Sequence, residues 1–183
     1  MEQTRREFFR KAVGVALAVS GLEVLAGENQ GYKTDDFSKD TERILLARMI
    51  WGEARSCHDI EKVAVAYTAV NRANDGKKWN GETIQEAILK PLQYSCFNKN
   101  DPNRNKLKDP EKYDAQSFQR CLRISEIVIG KEFEDPTKGA THYFNPDIAK
   151  PKWADKMRKI GKIPVGEKDG RTIYSKHEFY EEK

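Results

Sequence analysis

A chain of 183 residues that is 38% hydrophobic and 34% charged has room for one domain of ordinary size with a real core. Its mean hydropathy is negative and no apolar run approaches the ~20 residues of a spanning helix, which argues against an integral helical membrane protein. The formal charge of +4 comes from acidic and basic residues interleaved along the chain, a pattern unlike a nucleic-acid surface, so no nucleic-acid partner is expected.

The first residues read as an address. Arg5 and Arg6, then Phe8, Phe9, Arg10 and Lys11, precede a short, weakly apolar run from Ala12 to Leu22. Val24-Leu25-Ala26 before Gly27 is a small-residue cleavage pattern. The arrangement resembles a twin-arginine export signal over residues 1–26. It implies removal on export, only transient contact with the membrane, and a mature protein in the periplasm or at the cell wall. An ordinary amphipathic N-terminal helix and an uncleaved anchor are the alternatives, and Gly14, Gly21 and Glu23 weaken the anchor's hold on a bilayer.

Residues 27–40 are polar and read as a linker that ends in helix-starting Ser38 or Asp40, with the domain proper over 41–183. From Thr41 to Ala54, Ile44, Leu45, Ala47, Arg48, Ile50 and Trp51 make a dense apolar pattern at helical spacing, which predicts a largely buried first helix. Asp59 to Asn74 repeats the signal through Ile60, Val63, Ala64, Tyr67 and Val70, and Gly76 supplies a stop. Thr83 and Glu86 have capping-box spacing ahead of Ile84, Ala87 and Ile88, and Pro91 ends that short helix.

A polar loop without predicted structure follows, from Lys90 to Asp109. Asp109-Pro110 then starts a fourth helix running to Ile129, with Tyr113, Phe118, Leu122, Ser125 and Ile129 along one side. In the tail, Lys162–Val165 and Arg171–Tyr174 flank Asp169-Gly170, a strong two-residue hairpin signal. The expected fold class is mainly α, of the α+β kind: a helical body with a small C-terminal β-hairpin.

Cys57, Cys96 and Cys121 are an odd set. A Cys96–Cys121 disulfide is the favoured pairing, between a loop and a helix, and three buried reduced thiols are the alternative. No metal site is expected, because Cys57-His58, His142 and His177 lack the usual ligand spacings.

Trp51-Gly52-Glu53 places a carboxylate at the end of an apolar helix, after a glycine that lets another chain approach closely. Beside Ile50 and Trp51 a charged Glu53 loses hydration, so the protonated acid is expected to persist near neutral pH and to be available for a leaving oxygen. A solvated helix-end glutamate is the bland alternative.

The surrounding motifs decide between the two. Leu46–Arg55 (LARMIWGEAR), Lys62–Ala66 with Val70-Asn71-Arg72, Pro91–Cys96 (PLQYSC), Gly139–Pro146 (GATHYFNP), Trp153 and His177–Tyr180 (HEFY) occur in one order. Together they resemble the SleB/CwlJ family of cell wall hydrolases over about Thr41 to Tyr180. The resemblance implies a lysozyme-like fold and lytic transglycosylase cleavage of the MurNAc–GlcNAc bond in peptidoglycan, with Glu53 in the place of the family's catalytic glutamate. Ser56-Cys57-His58 departs from the family's small or acidic residues just past that segment.

The residues themselves allow the same chemistry. None of Asp59, Glu61 and Asp101 stands out as a second carboxylate, but one acid suffices if the substrate's N-acetyl oxygen stabilises the charge at C1. Such a reaction needs no cofactor. Gln93 and Ser95 offer hydrogen bonds to a sugar, with stabilisation of their own turn as the alternative, and Tyr143 and Asn145, on one side of an extended segment, offer an aromatic face and an amide. Phe144, Trp153, Tyr67 and Phe118 read as core, Asn71 as a backbone-bonding side chain and His177 as structural or a support behind the site. Glycan strands are the expected partner and a monomer the expected state. The rival readings are a hydrolytic muramidase, a wall-cleaving amidase, for which the sequence offers no evident metal site or cysteine nucleophile, and a non-catalytic wall-binding protein.

Overall fold

The computed structural model describes residues 32–182, so the leader reading and the start of the linker lie outside the described residues. Helix α1 (Glu42–Ala54) begins where Thr41 Oγ1 accepts the Ile44 N–H at 3.4 Å. Leu45, Leu46, Ala47, Met49, Ile50 and Trp51 are all buried, so apolar surface runs right round α1, as befits the central rod of a helical body. Around it pack α2 (Asp59–Asn74), α3 (Ile84–Leu89), the short α4 (Arg104–Leu107) and α5 (Pro110–Ile129). Thr83 caps α3 as expected, and Glu86 reaches back to the Glu82 N–H at 2.8 Å. Among the described residues no helix is long and apolar enough to cross a membrane.

Packing starts before Thr41, because Tyr32–Asp40 is fastened to the body through Arg48 of α1. That guanidinium is buried, and it donates to Asp40 Oδ2 at 2.7 Å, to the Tyr32 carbonyl at 2.6 Å and to the Leu107 carbonyl. It also lies 5.8 Å and 5.9 Å from the ring centres of Phe37 and Phe118. A charge out of water must be matched in this way or the fold pays heavily for it. The linker reading therefore extends too far, and Asp40 serves as an ion-pair partner, not a helix cap.

The stretch from Lys90 to Asp109 is structured as well. A 3-10 turn at Ser95–Phe97 and α4 bury Tyr94, Cys96 and Leu107. In α5 the backbone leaves helical geometry at Asp114 (φ −164°, ψ 81°), whose Oδ1 then caps the Ser117 N–H at 3.0 Å. This break throws the earlier residues out of phase. Tyr113, expected on the buried side, is exposed, whereas Phe118, Cys121, Leu122, Ile124, Ser125 and Val128 face inward.

Five strands follow: β1 (His142–Phe144), β2 (Arg158–Gly161), β3 (Pro164–Lys168), β4 (Arg171–Tyr174) and β5 (Glu178–Glu181). The expected hairpin is β3–β4, with Asp169 (φ 51°) and Gly170 (φ 72°) both left-handed, as a type I′ turn requires. A second, antiparallel sheet in the order β1-β5-β2 had no counterpart in the sequence expectations. Strand alternation splits its side chains: Tyr143 and its partner Phe179 face the core, while His142, Phe144 and Tyr180 gather with Trp153 on the other side, ring centres 5.1–5.7 Å apart. Phe144 and Trp153 thus belong to this outer aromatic cluster and not to the main core. Tyr67 and Phe118 are core residues as expected.

The Cys96–Cys121 disulfide is not formed, and all three cysteines are buried free thiols. Cys96 is pressed against Gly52 at the end of α1. Cys121 sits on α5, where it feels the charges of Lys62 and Asp59 on α2. Burial pushes the Cys121 thiol up to about 12 and the Cys96 thiol well above its ordinary value, so both stay protonated.

Candidate active site

Glu53 lies in the last turn of α1, half-buried, and three donors converge on its carboxylate. Oε1 accepts the Ser95 hydroxyl at 3.0 Å and the Cys96 N–H at 2.9 Å. Oε2 accepts the Tyr143 hydroxyl at 3.2 Å. The acid comes from a helix and its holders from a turn and a strand.

Gly52 makes the first contact feasible. A Cβ there would stand 2.7 Å from both Cβ and Sγ of Cys96, so only glycine lets the 94–97 turn close on the helix end. Beneath that turn Tyr94 is buried, with its hydroxyl 3.1 Å from Thr68 Oγ1 and the Arg72 guanidinium 5.0 Å from its ring centre.

The second contact is set by the loop leading into β1. Asp135 Oδ1 accepts the Thr137 N–H at 2.8 Å, and Oδ2 accepts the Gly139 N–H at 2.8 Å and the Asn71 amide at 2.8 Å. Asn71 also donates to the Ala140 carbonyl at 2.8 Å, bolting the start of β1 to α2. Burial, and after it the Glu53 charge, hold the Tyr143 phenol well above its ordinary value, so it is a permanent donor.

Behind Tyr143 stands His177, its ring edge-on at 5.0 Å between centres. Glu61 Oε1 accepts both the His177 N–H, at 2.9 Å, and its Nδ1, at 2.8 Å. Burial raises the Glu61 carboxyl, but the His177 bonds more than offset this and leave it below the usual carboxylate value.

Of the residues singled out in the sequence, Glu53, Ser95 and Tyr143 meet directly. Ser95 and Tyr143 are, however, holders of the carboxylate first. Gln93 is half-buried two residues upstream of Ser95, where its N–H closes the turn on the Lys90 carbonyl at 3.2 Å. Asn145 lies past the end of β1 with its side-chain oxygen committed to the Asp147 N–H at 3.0 Å, which leaves the NH2 as its free half. The three other carboxylates considered are engaged elsewhere: Asp59 with Arg120 and Lys62, Glu61 with His177, and Asp101 with the Asn103 N–H at 2.7 Å. Sequence reasoning missed Asp135 and Tyr94. Asp135 before Pro136-Thr137 is a turn signal that pointed to a loop brace.

A family model described as Cell Wall Hydrolase matches residues 58–165, more than half of the chain. It takes in Asn71, Ser95 and Tyr143 but begins after Glu53, whose place rests on the geometry above. The chain is similar to a spore cortex-lytic enzyme of Halalkalibacterium halodurans, 27% identical over 146 residues, covering 78% of this chain and 38% of that protein. A spore cortex-lytic enzyme of Bacillus cereus is 26% identical over 138 residues, 74% of this chain and 48% of that one. The chain thus spans less than half the length of these curated relatives. The catalytic domain of the germination-specific lytic transglycosylase SleB from Bacillus anthracis has the same fold, with a TM-score of 0.52 at 23% identity over 86% of this chain and 100% of that one. With the family matched over most of the domain and the fold shared, the chain belongs to the cell wall hydrolase family.

Proposed function

We propose that this protein cuts peptidoglycan glycan strands between MurNAc and GlcNAc as a lytic transglycosylase, with Glu53 as the single acid and base. The observation that carries the reading is the half-buried Glu53 carboxylate, gripped by donors from two other segments in a chain of a wall-hydrolase family. Oε1 is filled by two donors, whereas Oε2 has one longer bond and room for a proton. From there the proton passes to the glycosidic oxygen as the bond to C1 breaks and the MurNAc acetamido oxygen closes on C1. The carboxylate then takes the proton of the muramyl 6-hydroxyl while O6 bonds to C1 and expels the acetamido oxygen. A 1,6-anhydro end is left and Glu53 is protonated again.

Engagement of Asp59, Glu61 and Asp101 elsewhere supports a one-carboxylate route over the paired-carboxylate one. Gln93 and the free NH2 of Asn145 are the groups assigned to the sugar. The leader reading fits a wall substrate: residues 1–26 are taken to carry the protein out, to the periplasm or the wall, where it works as a monomer. Mass spectrometry of fragments released from purified sacculi tests the reaction. Anhydromuramic ends are expected, reducing muramic ends would put water in place of the 6-hydroxyl, and no release would remove the enzymatic reading.

A further inference from the structure

We propose that Cys57, Glu61 and His177 bind one divalent transition-metal ion of the zinc class. The fold brings a thiol sulfur, a carboxylate oxygen and an imidazole nitrogen within 4.8 Å of one another. Zinc bonds of ~2.3 Å to sulfur and ~2.0–2.2 Å to nitrogen and oxygen place donor atoms about 3–4 Å apart, so a small contraction seats the ion.

An independent observation lies in Glu61. Its Oε1 takes both His177 bonds, but Oε2 is buried, in a residue with 0% exposure, and meets no donor in good hydrogen-bonding geometry, with the Cys57 thiol and the Lys176 N–H as the groups around the carboxylate. Leaving such an oxygen unmatched is costly, and a cation is the partner that satisfies it best.

Charge and donor type narrow the choice of ion. Thiolate and carboxylate cancel a dication, so the filled site adds no net buried charge. Sulfur with imidazole selects zinc, cobalt or nickel over calcium or magnesium. Entry balances: the Cys57 thiol releases one proton to solvent as its sulfur bonds the metal, and the hydrogen that His177 Nδ1 shares with Glu61 passes to solvent while Nε2 takes one up, which frees the Nδ1 lone pair for the metal. A solvent-open hollow lined by Cys57, His58, Asp59, Lys62 and Arg120 supplies the path in, with room for a water as fourth ligand. Spacing hid the site, since Cys57 lies just before α2 and Glu61 in its first turn, but His177 arrives from the entry to β5. Bound there, the ion would fix the imidazole against which Tyr143 rests.

The inference does not depend on the proposed reaction, and its test reads binding alone. The chelator-treated full-length protein is titrated with Co²⁺ and followed by absorption and calorimetry. One equivalent should bind with a thiolate-to-cobalt band in the near ultraviolet, and Zn²⁺ should displace it. Cys57→Ser should abolish the band, and Glu61→Gln should weaken binding at least tenfold. Loss on His58→Ala with retention in Cys57→Ser would put the ion in the outer hollow and overturn the assignment. If a variant does not fold, the wild type still decides: neither a cobalt–thiolate band nor a rise in melting temperature at saturating Zn²⁺ means the trio is only a proton-bridged brace.

Discussion

Helix α1 and the two segments that grip its end are held by different physics. The helix is apolar on every side and would be buried in almost any compact arrangement of this chain. The 94–97 turn buries Tyr94 and Cys96 but leaves Ser95 exposed, β1 is half-buried, and the two reach Glu53 only because one glycine lacks a Cβ and one aspartate organises a loop. The acid is therefore placed by the hydrophobic core, while its orientation is placed by a few non-local contacts. Damage to the first region should unfold the protein. Damage to the second should leave it folded and mis-aimed.

Glu53→Gln breaks the comparison most sharply, because it removes the transferable proton and leaves the core alone. Turnover on sacculi should fall roughly 10²–10⁴-fold with the melting temperature unchanged or slightly higher. A folded variant with near-normal turnover would falsify the role assigned to Glu53.

Gly52→Ala tests the junction of the two regions. Its methyl would sit 2.7 Å from Cys96, part of a backbone turn that cannot give way alone, so the turn must shift. A stability loss of about 1–3 kcal/mol is expected. Activity should drop further than that loss explains, since Ser95 and the Cys96 N–H move off Oε1. Denaturant melts beside rates on folded enzyme separate the effects, and unchanged rates would mean that those two donors matter little.

Tyr143→Phe is milder, because it removes one 3.2 Å bond and keeps the ring packed on His177 and Phe179. A fall of roughly threefold to thirtyfold in kcat/KM follows from a lost hydrogen bond to a charged group. Melting temperature should scarcely change. The reverse pattern, full activity with a large stability loss, would make Tyr143 a core residue and nothing more.

The same division explains what could be read from the residues. The helices, the Thr83 cap, the Asp169-Gly170 hairpin and Gly52 as a close-approach point all follow from local spacing or the special chemistry of one residue. The β1-β5-β2 sheet escaped because its strands are three or four residues long and pair segments far apart, with no periodicity to detect. The packed Tyr32–Asp40 stretch escaped because a buried Arg48 in an apolar run looks like an interruption until its acceptors are known. Ser95 and Tyr143 were expected to meet a sugar, and their hydroxyls bond Glu53; which oxygen a hydroxyl meets is a tertiary fact.

The smallest expected effect concerns the outer aromatic cluster. Burial, with Arg72 nearby, lowers the His142 imidazole from 6.5 to about 4, so it stays neutral in the fold at pH values where the unfolded chain takes up a proton. Stability from this source is complete above about pH 6.5 and is lost as pH falls toward 4, because there the unfolded state binds more protons. Between pH 6.5 and 5 the loss is separable from that of Glu61, Glu178 and Glu182, whose carboxyls sit below the usual value and give up their contribution only in more acid solution. Thermal melts across that window should show a decline in the wild type that flattens in His142→Gln. An equal slope in both would mean that His142 charges freely in the folded protein, and that the sheet's outer face is wetter than its half-buried rings imply.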